Sequence, residues 1–377
     1  MAATVLAQKG FNVAVVEMEQ YPRFHIGESL LPATMPLYKE TGFYKVLDSG
    51  KYIRKYGARF IDYRDDDEVY FGFADGLNQD IPMAFEVERS QLDKDLLAYA
   101  QSQGATVYQP EKVIEFDLET TGVRLQTDKR KIEAEYMIDV SGRDALIGKR
   151  MKMRQMNTDL NNLAVFAHFK GVKRREGIHE GDITIGLLPD RAWTWIIPFK
   201  GEITSVGVVA SEKFSGQPEL ETYFNEKVLK SATVREFMKN AERVGDWHCI
   251  GNYSHTCEKF YGERWLLSGD AALFLDPIFS SGVHMSTSSS KFAAETIMKA
   301  FADKRPLTDP DLGAPYEAKV RKGAKRFHNL IGLFYEGHFV EQMKKTLQRE
   351  NMRKGFTSAV AGDVWNDDNF LFQKNVL

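Results

Sequence analysis

The chain has 377 residues, of which 43% are hydrophobic and 27% charged, an ordinary make-up for a globular enzyme with ample length for a large core. A net charge of −3 argues against nucleic acid or an anionic membrane surface as a partner. No apolar run is long enough to span a bilayer, the start lacks the basic n-region of a signal peptide, and Cys249 and Cys257 are too few for a disulfide framework, so a cytoplasmic location is the default expectation.

Residues 2–8 have a helical pattern that Gly10 stops. Residues 11–17 then form a β-branched run ending in an acid. That order is the second half of a βαβ dinucleotide unit, with Glu17 placed to hold the adenosine ribose. No G-x-G-x-x-G precedes it, because the sequence opens inside the helix that should follow such a loop. The expectation is an N-terminally truncated unit whose cofactor sheet lacks its first strand and pyrophosphate loop.

Next come Gly27-Glu28-Ser29-Leu30-Leu31-Pro32, a helix near residues 33–40, and a strand over residues 53–60 that carries Lys55. Val87-Glu88-Arg89-Ser90 leads into another helix, with Ser90 as a candidate N-cap. Alternation over residues 106–134 predicts a small β-meander. Residues 162–211 read as several strands and include Trp193-Thr194-Trp195-Ile196-Ile197-Pro198. A helical stretch near residues 220–242 interrupts the strands, which resume over residues 244–259. His248, Cys249, His255 and Cys257 fall there, but in an extended segment their spacing fits no usual zinc pattern, so no metal site is expected.

Trp265-Leu266-Leu267-Ser268-Gly269-Asp270 is an apolar strand closing on Gly-Asp. Phe274-Leu275-Asp276-Pro277-Ile278-Phe279-Ser280-Ser281-Gly282 follows, then a helix over residues 283–302. A carboxylate at the end of such a strand can hold a chain of hydroxyls. A Ser-Gly turn at a helix start aims backbone N–H groups at an anion. The remainder, from residue 309 on, is mostly helical in pattern.

These motifs carry a resemblance. The Gly269-Asp270 segment resembles the ribityl-binding fingerprint of FAD-dependent monooxygenases of the hydroxybenzoate-hydroxylase type. Phe274, Pro277, Ser280 and Gly282 fit the F-x-x-P-x-x-S-x-G pattern of flavin-dependent halogenases, and Trp193, Trp195 and Pro198 fit their W-x-W-x-I-P pattern. Gly27, Glu28 and Ser29 are similar to the halogenase segment lining the flavin face, and Arg89 matches a position that reaches the cofactor.

The resemblance implies an α/β fold: a discontinuous FAD-binding domain of Rossmann type (residues 1–61, 85–150 and 260–305), a mixed β-sheet substrate domain (62–84 and 151–259) and a helical C-terminal region (306–377). It implies FAD, used as FADH2, with oxygen as co-substrate and chloride or bromide as the second substrate. Glu17, Gly27, Glu28, Ser29, Arg89, Gly269, Asp270 and Pro277 are the expected cofactor residues. In such enzymes a flavin C4a-hydroperoxide oxidises the halide to hypohalous acid. Ser281 and Gly282 match the halide-binding turn, and Lys55, in K-x-G-x-x-F, matches the lysine that positions the halogen donor. Trp193 and Trp195 share one strand face, where two such rings can wall the flavin from the organic substrate or simply fill the core; they stand as motif residues, with a structural role in the family, and not as catalysts.

Tryptophan halogenases have a glutamate where this chain has Phe279, so the resemblance points to the phenol- and pyrrole-acting branch, with a free or carrier-protein-bound aromatic substrate. No second glycine fingerprint for a nicotinamide is visible, in keeping with a separate flavin reductase as partner. An aromatic hydroxylase or a prenyl-lipid-type reductase on the same fold is the alternative.

Overall fold

The structure is a computed structural model that describes residues 1–160, 162–211, 219–374 and 376–377. It has mixed α/β architecture. Two short parallel strand pairs stand outside the large sheet: Ala14–Val16 with Thr106–Tyr108, and Met137–Asp139 with Trp265–Leu267. Among the described residues no strand joins the two pairs. Helix Ala2–Gln8 packs on helices Arg89–Ser102 and Ser281–Asp303 beside them.

A seven-stranded sheet forms the second layer, in the order Glu242–Gly251, Leu163–Lys170, Thr204–Ala210, Trp193–Pro198, Ile183–Leu187, Gly57–Ile61, Glu68–Gly72. Its neighbours run antiparallel except Ile183–Leu187 and Gly57–Ile61, which are parallel. Alternation assigns its side chains to two cores. Phe60, Phe166, Trp193, Trp195 and Ile197 face the main core, shared with the C-terminal helices. Val165, Ala167, Ile196, Val206 and Val208 face a smaller core closed by helices Leu220–Val228 and Ala232–Met238. A strand covered on both faces has no polar face to show. Trp193–Pro198 is accordingly buried at every position.

Two predicted elements divide. The strand expected over residues 53–60 is two strands, Ile53–Lys55 and Gly57–Ile61, in different sheets. The break has a cause: the buried Asp182 carboxylate accepts the Tyr56 and Gly57 N–H groups, both at 2.8 Å, and takes them out of the ladder. The segment over residues 244–259 is likewise Glu242–Gly251 and His255–Cys257, which lie in separate sheets. This splits the His248, Cys249, His255 and Cys257 group, and no trio of metal-binding side chains exists among the described residues. Ser90 is not an N-cap. The helix begins at Arg89 after Glu88, and the Ser90 hydroxyl donates to the Glu88 carboxylate.

The C-terminal helices Gly313–Tyr335, Phe339–Thr346 and Glu350–Val360 are long enough to cover the main core. No helix among the described residues is long and apolar enough to cross a membrane. The contact between layers centres on Phe60, whose ring lies 5.0 to 6.2 Å from Phe71, Phe279, Phe334 and Phe339. Phe60→Ala removes the ring that all four share. It is expected to destabilise the fold by about 3–5 kcal/mol in chemical denaturation, and a loss under about 1 kcal/mol would contradict this packing account.

Candidate functional site

The site gathers at the carboxyl ends of the parallel strands, where α/β folds bind ligands. Glu17 follows Ala14–Val16 directly, and its carboxylate accepts the Glu19 N–H at 2.8 Å and the Tyr21 hydroxyl at 2.9 Å. At the end of Trp265–Leu267, Gly269 adopts a left-handed φ of +59° and its N–H donates to Ser289 Oγ at 2.9 Å. A Cβ at Gly269 would come within 2.6 Å of Ser286 Oγ, so only glycine lets this turn dock on the helix. The adjacent Asp270 carboxyl is pushed up to about 6 by burial, opposed by Arg89 and the Ser286 hydroxyl.

Arg89 is fixed by a two-point ion pair to Asp93, at 2.8 and 3.0 Å, and donates to the Ile26 carbonyl at 2.7 Å. Gly27, at φ +103°, passes so close that a Cβ would lie 2.8 Å from Arg89 Nη1 and 3.7 Å from Val283. Val283 belongs to the first turn of helix Ser281–Asp303, so residue 27 lies against both Arg89 and the start of that helix.

Residues 28 and 29 turn their side chains inward, because this segment adds to the edge of strand Ala84–Glu86. Leu30 N–H donates to Phe85 O, Val87 N–H donates to Glu28 O, and Ser29 bridges Glu86. Alternation sends the Glu28 carboxylate toward His168 Nε2, 2.7 Å away, and Ser29 toward Lys55. Burial lowers the His168 pKa, but the Glu28 hydrogen bond and charge outweigh it, and the net shift is upward.

Lys55 is 1% exposed. Its ammonium donates to Ser29 Oγ at 2.7 Å and to the Leu30 carbonyl at 3.2 Å, and lies 3.9 Å from Glu86 and 5.4 Å from the centre of the Phe73 ring. It does not point into an open cavity, as a lysine facing substrate directly would. Burial lowers its pKa, against the opposing charges of Glu86 and Asp182. Glu86, 0% exposed, is pushed up to about 8 by burial, against Lys55 and the Ser29 hydroxyl.

The Phe274-to-Gly282 segment forms a tight turn. The Asp276 side chain accepts Ile278 N–H at 3.0 Å and so caps the short 3₁₀ turn Pro277–Phe279. Ser280 follows at φ +54°, in left-handed backbone, and the helix starts at Ser281, two residues before the predicted start. The Phe274 ring lies 3.3 Å from where a Cβ on Gly282 would sit. Phe279 enters the aromatic cluster around Phe60, so an apolar ring packs where a glutamate was not found.

This turn and the tryptophan motif are joined. Trp193 Nε1 donates to the Tyr335 hydroxyl at 2.9 Å, and that hydroxyl donates to Asp276 at 3.1 Å. Asn162 donates to both, at 2.8 Å to Asp276 and 3.1 Å to Tyr335. Burial pushes Asp276 up to about 6. Trp195 instead donates to Ser205 Oγ at 3.1 Å, and its ring lies 5.9 Å from that of Trp193, while Pro198 ends the strand.

Comparison with known proteins shows the family of the chain. The tryptophan halogenase family pattern matches residues 75–375. The chain belongs to that family. It is 30% identical to the 1H-pyrrole-2-carbonyl-[peptidyl-carrier protein] chlorinase of Pseudomonas fluorescens, over 97% of this chain and 86% of that protein. It is also 30% identical to the flavin-dependent halogenase ptaM of Pestalotiopsis fici, over 88% of this chain, and spans 66% of the length of that protein. The fold matches the crystal structure of the flavin-dependent halogenase CmlS with a TM-score of 0.82 at 28% identity, covering 99% of this chain and 67% of the other. A flavoprotein/dehydrogenase from Cytophaga hutchinsonii matches with a TM-score of 0.87 at 27% identity, over 99% and 92% of the two chains.

Flavin-dependent halogenases are FAD-dependent oxidoreductases, and this chain is an enzyme of that type. The residues present fit the ribityl and ring end of FAD. Gly27 and Gly269 are two positive-φ glycines whose Cβ atoms would collide with Arg89 and Ser286, and Asp270 stands at a strand end near Arg89.

The sequence reading did not single out Glu86, Asp182, His168, Asn162 or Tyr335. Glu86 left a signal, a lone acid inside the apolar run Met83-Ala84-Phe85-Glu86-Val87, where a buried carboxylate needs a partner. Tyr335 left none, since it meets Asp276 from 59 residues away. Tyr335→Phe strips a partner from Trp193 and Asp276 while keeping the ring. It is expected to cost about 1–3 kcal/mol in thermal or urea unfolding. An unchanged unfolding midpoint would show that this network carries no stability.

Proposed function

We propose that the chain uses reduced FAD and oxygen to oxidise chloride or bromide to hypohalous acid, and delivers the halogen to an electron-rich aromatic, a phenol or a pyrrole, free or carrier-bound. A separate reductase supplies the reduced flavin, which when bound contributes the electrons that activate oxygen. Glu17, Gly27, Arg89, Gly269 and Asp270 hold the cofactor, with the carboxylates accepting hydroxyl donors and Arg89 countering negative charge.

One observation carries this reading: residues 27–30 touch both halves of the chemistry. On one side Gly27 meets the first turn of helix Ser281–Asp303, and on the other Ser29 and Leu30 hold the Lys55 ammonium. The helix has 23 residues, and its first N–H groups are free of intrahelical partners. The left-handed Ser280 and the side-chain-free Gly282 let a halide approach these groups, which the helix dipole favours. Lys55 keeps its bonds to Ser29 and Leu30 and gives its remaining N–H to the halogen donor, which polarises it toward the ring; a path to this buried ammonium has to open for the donor to reach it. Trp193 and Trp195 wall the chamber. Phe279 leaves no carboxylate beside Ser280, which suits a ring already activated by its own hydroxyl or nitrogen. The pyrrole substrate in the name of the Pseudomonas fluorescens relative points the same way.

Two substitutions separate the steps in an assay with FAD, a flavin reductase, oxygen and bromide. Lys55→Ala is expected to keep flavin reoxidation while halogenated product falls by about two orders of magnitude or more, the scale of losing a positioned proton donor. Gly282→Val adds a branched Cβ against Phe274 and closes the halide approach, so halogenation is lost and saturating bromide does not restore it. Halide-independent oxygenation as the main activity of the unsubstituted chain would instead support the hydroxylase alternative.

A further inference from the structure

Lys55 and Glu86 are both fully buried, yet they do not form a close ion pair; their nearest atoms are 3.9 Å apart. The Ser29 hydroxyl stands between them. It accepts from the Lys55 ammonium at 2.7 Å and donates to Glu86 Oε1 at 3.0 Å. The donors all point one way, from nitrogen through hydroxyl to carboxylate. Glu86 Oε2 is buried with no hydrogen-bond partner, so the carboxylate is held by a single hydroxyl. A carboxylate kept only for stability would be expected to have both oxygens satisfied, because each unpaired one costs desolvation.

We propose that Glu86, acting through the Ser29 hydroxyl, is the proton partner of Lys55 in halogen transfer; this rests on the function proposed above. A proton leaving Lys55 passes to Ser29 as the Ser29 proton passes to Glu86, giving an amine and a carboxylic acid with no net change of charge. The reverse move restores the pair. When halogen replaces a ring hydrogen, the aromatic C–H bond and the O–X bond of hypohalous acid break, and C–X and a new O–H bond form. The ring proton enters the Lys55–Ser29–Glu86 chain, and a proton leaves the chain onto the departing hydroxide as water. The balance is arene plus hypohalous acid to haloarene plus water, and the chain returns to its starting state. Glu86 is therefore a positioning and proton-holding residue, while Lys55 meets the halogen donor.

Other charges bear on the pair. Asp182 acts on both Lys55 and Glu86, and Glu28 acts on Glu86. Each has its own histidine partner, Asp182 with His179 and Glu28 with His168, both at 2.7 Å. Burial, set against Lys55, pushes Glu86 up to about 8, so the carboxylate that accepts the relay proton is present above that pH and is lost as pH falls through it.

The test compares Glu86→Gln, Glu86→Asp and Ser29→Ala with the unsubstituted chain, in the presence of FAD, reductase and bromide. It measures halogenated product per flavin reoxidised across pH 6 to 10, a window chosen about that value. Lys55 Nζ is followed in parallel by nitrogen NMR of lysine-labelled protein. Glu86→Gln is expected to lower the product ratio about tenfold or more, to abolish the acidic limb near pH 8, and to shift the Lys55 titration downward because the counter-charge of the ionised carboxylate is gone. Glu86→Asp is expected to restore part of the limb. Ser29→Ala breaks the path while both charges remain, and is expected to lower the ratio alike; it carries the test if Glu86→Gln does not fold. A wild-type ratio, pH profile and Lys55 titration in Glu86→Gln, or a wild-type ratio in Ser29→Ala, would overturn the proposal. If the unsubstituted chain makes no halogenated product, the function proposed above fails; if it does and only Lys55→Ala loses product, the relay alone fails.

Discussion

A single hydroxyl, that of Ser29, lies between two charges that the fold has taken out of water. Lys55 comes from a short strand beside the large sheet and Glu86 from the strand paired with it, and neither has solvent to fall back on. Burying one charge without the other would cost several kcal/mol. The antiparallel pairing of Ile53–Lys55 with Ala84–Glu86, and the addition of residues 28–30 along the latter's edge, therefore have to hold together. This same edge segment presents Gly27 to Arg89. The packing around Arg89 and the placement of Lys55 are thus one structural problem, solved by one short stretch of backbone.

A second constraint ties the large sheet to the turn at Pro277–Phe279. Asp276 caps the turn with one oxygen and takes Tyr335 and Asn162 on the other, and Tyr335 also receives the Trp193 indole. The two halogenase motifs thus share a hydrogen-bond network, although Asp276 lies 83 residues after Trp193 in sequence. This accounts for a tryptophan at that strand position where any large apolar residue could fill the core. The indole N–H reaches the Tyr335 hydroxyl while the ring stays buried, which a purely apolar side chain could not do.

Local patterns were legible. Helix Ala2–Gln8, the Gly269-Asp270 turn and the body of helix Ser281–Asp303 follow from local apolar runs and glycines. The family followed from two spaced motifs, and the match over residues 75–375 agrees with it. What could not be read depends on distant partners. The break at Tyr56 is imposed by Asp182, a carboxylate over a hundred residues away in sequence, as its 126-residue separation records. The inward turn of Glu28 and Ser29 is set by which strand edge they join, and nothing in Gly-Glu-Ser itself names Ala84–Glu86 as that edge. Glu86 was visible as a lone acid in an apolar run, but its partner was not.

The central claim is that the turn at Ser281 and Gly282 receives the halide beside the segment that holds Lys55. The most direct measurement is anomalous diffraction at the bromine edge from crystals of the FAD-loaded protein equilibrated with bromide. The account predicts a bromide peak within about 3.5 Å of the Ser281 or Gly282 backbone nitrogen, on the side facing residue 27. Bromide seen only elsewhere, at a concentration that supports turnover, would contradict it.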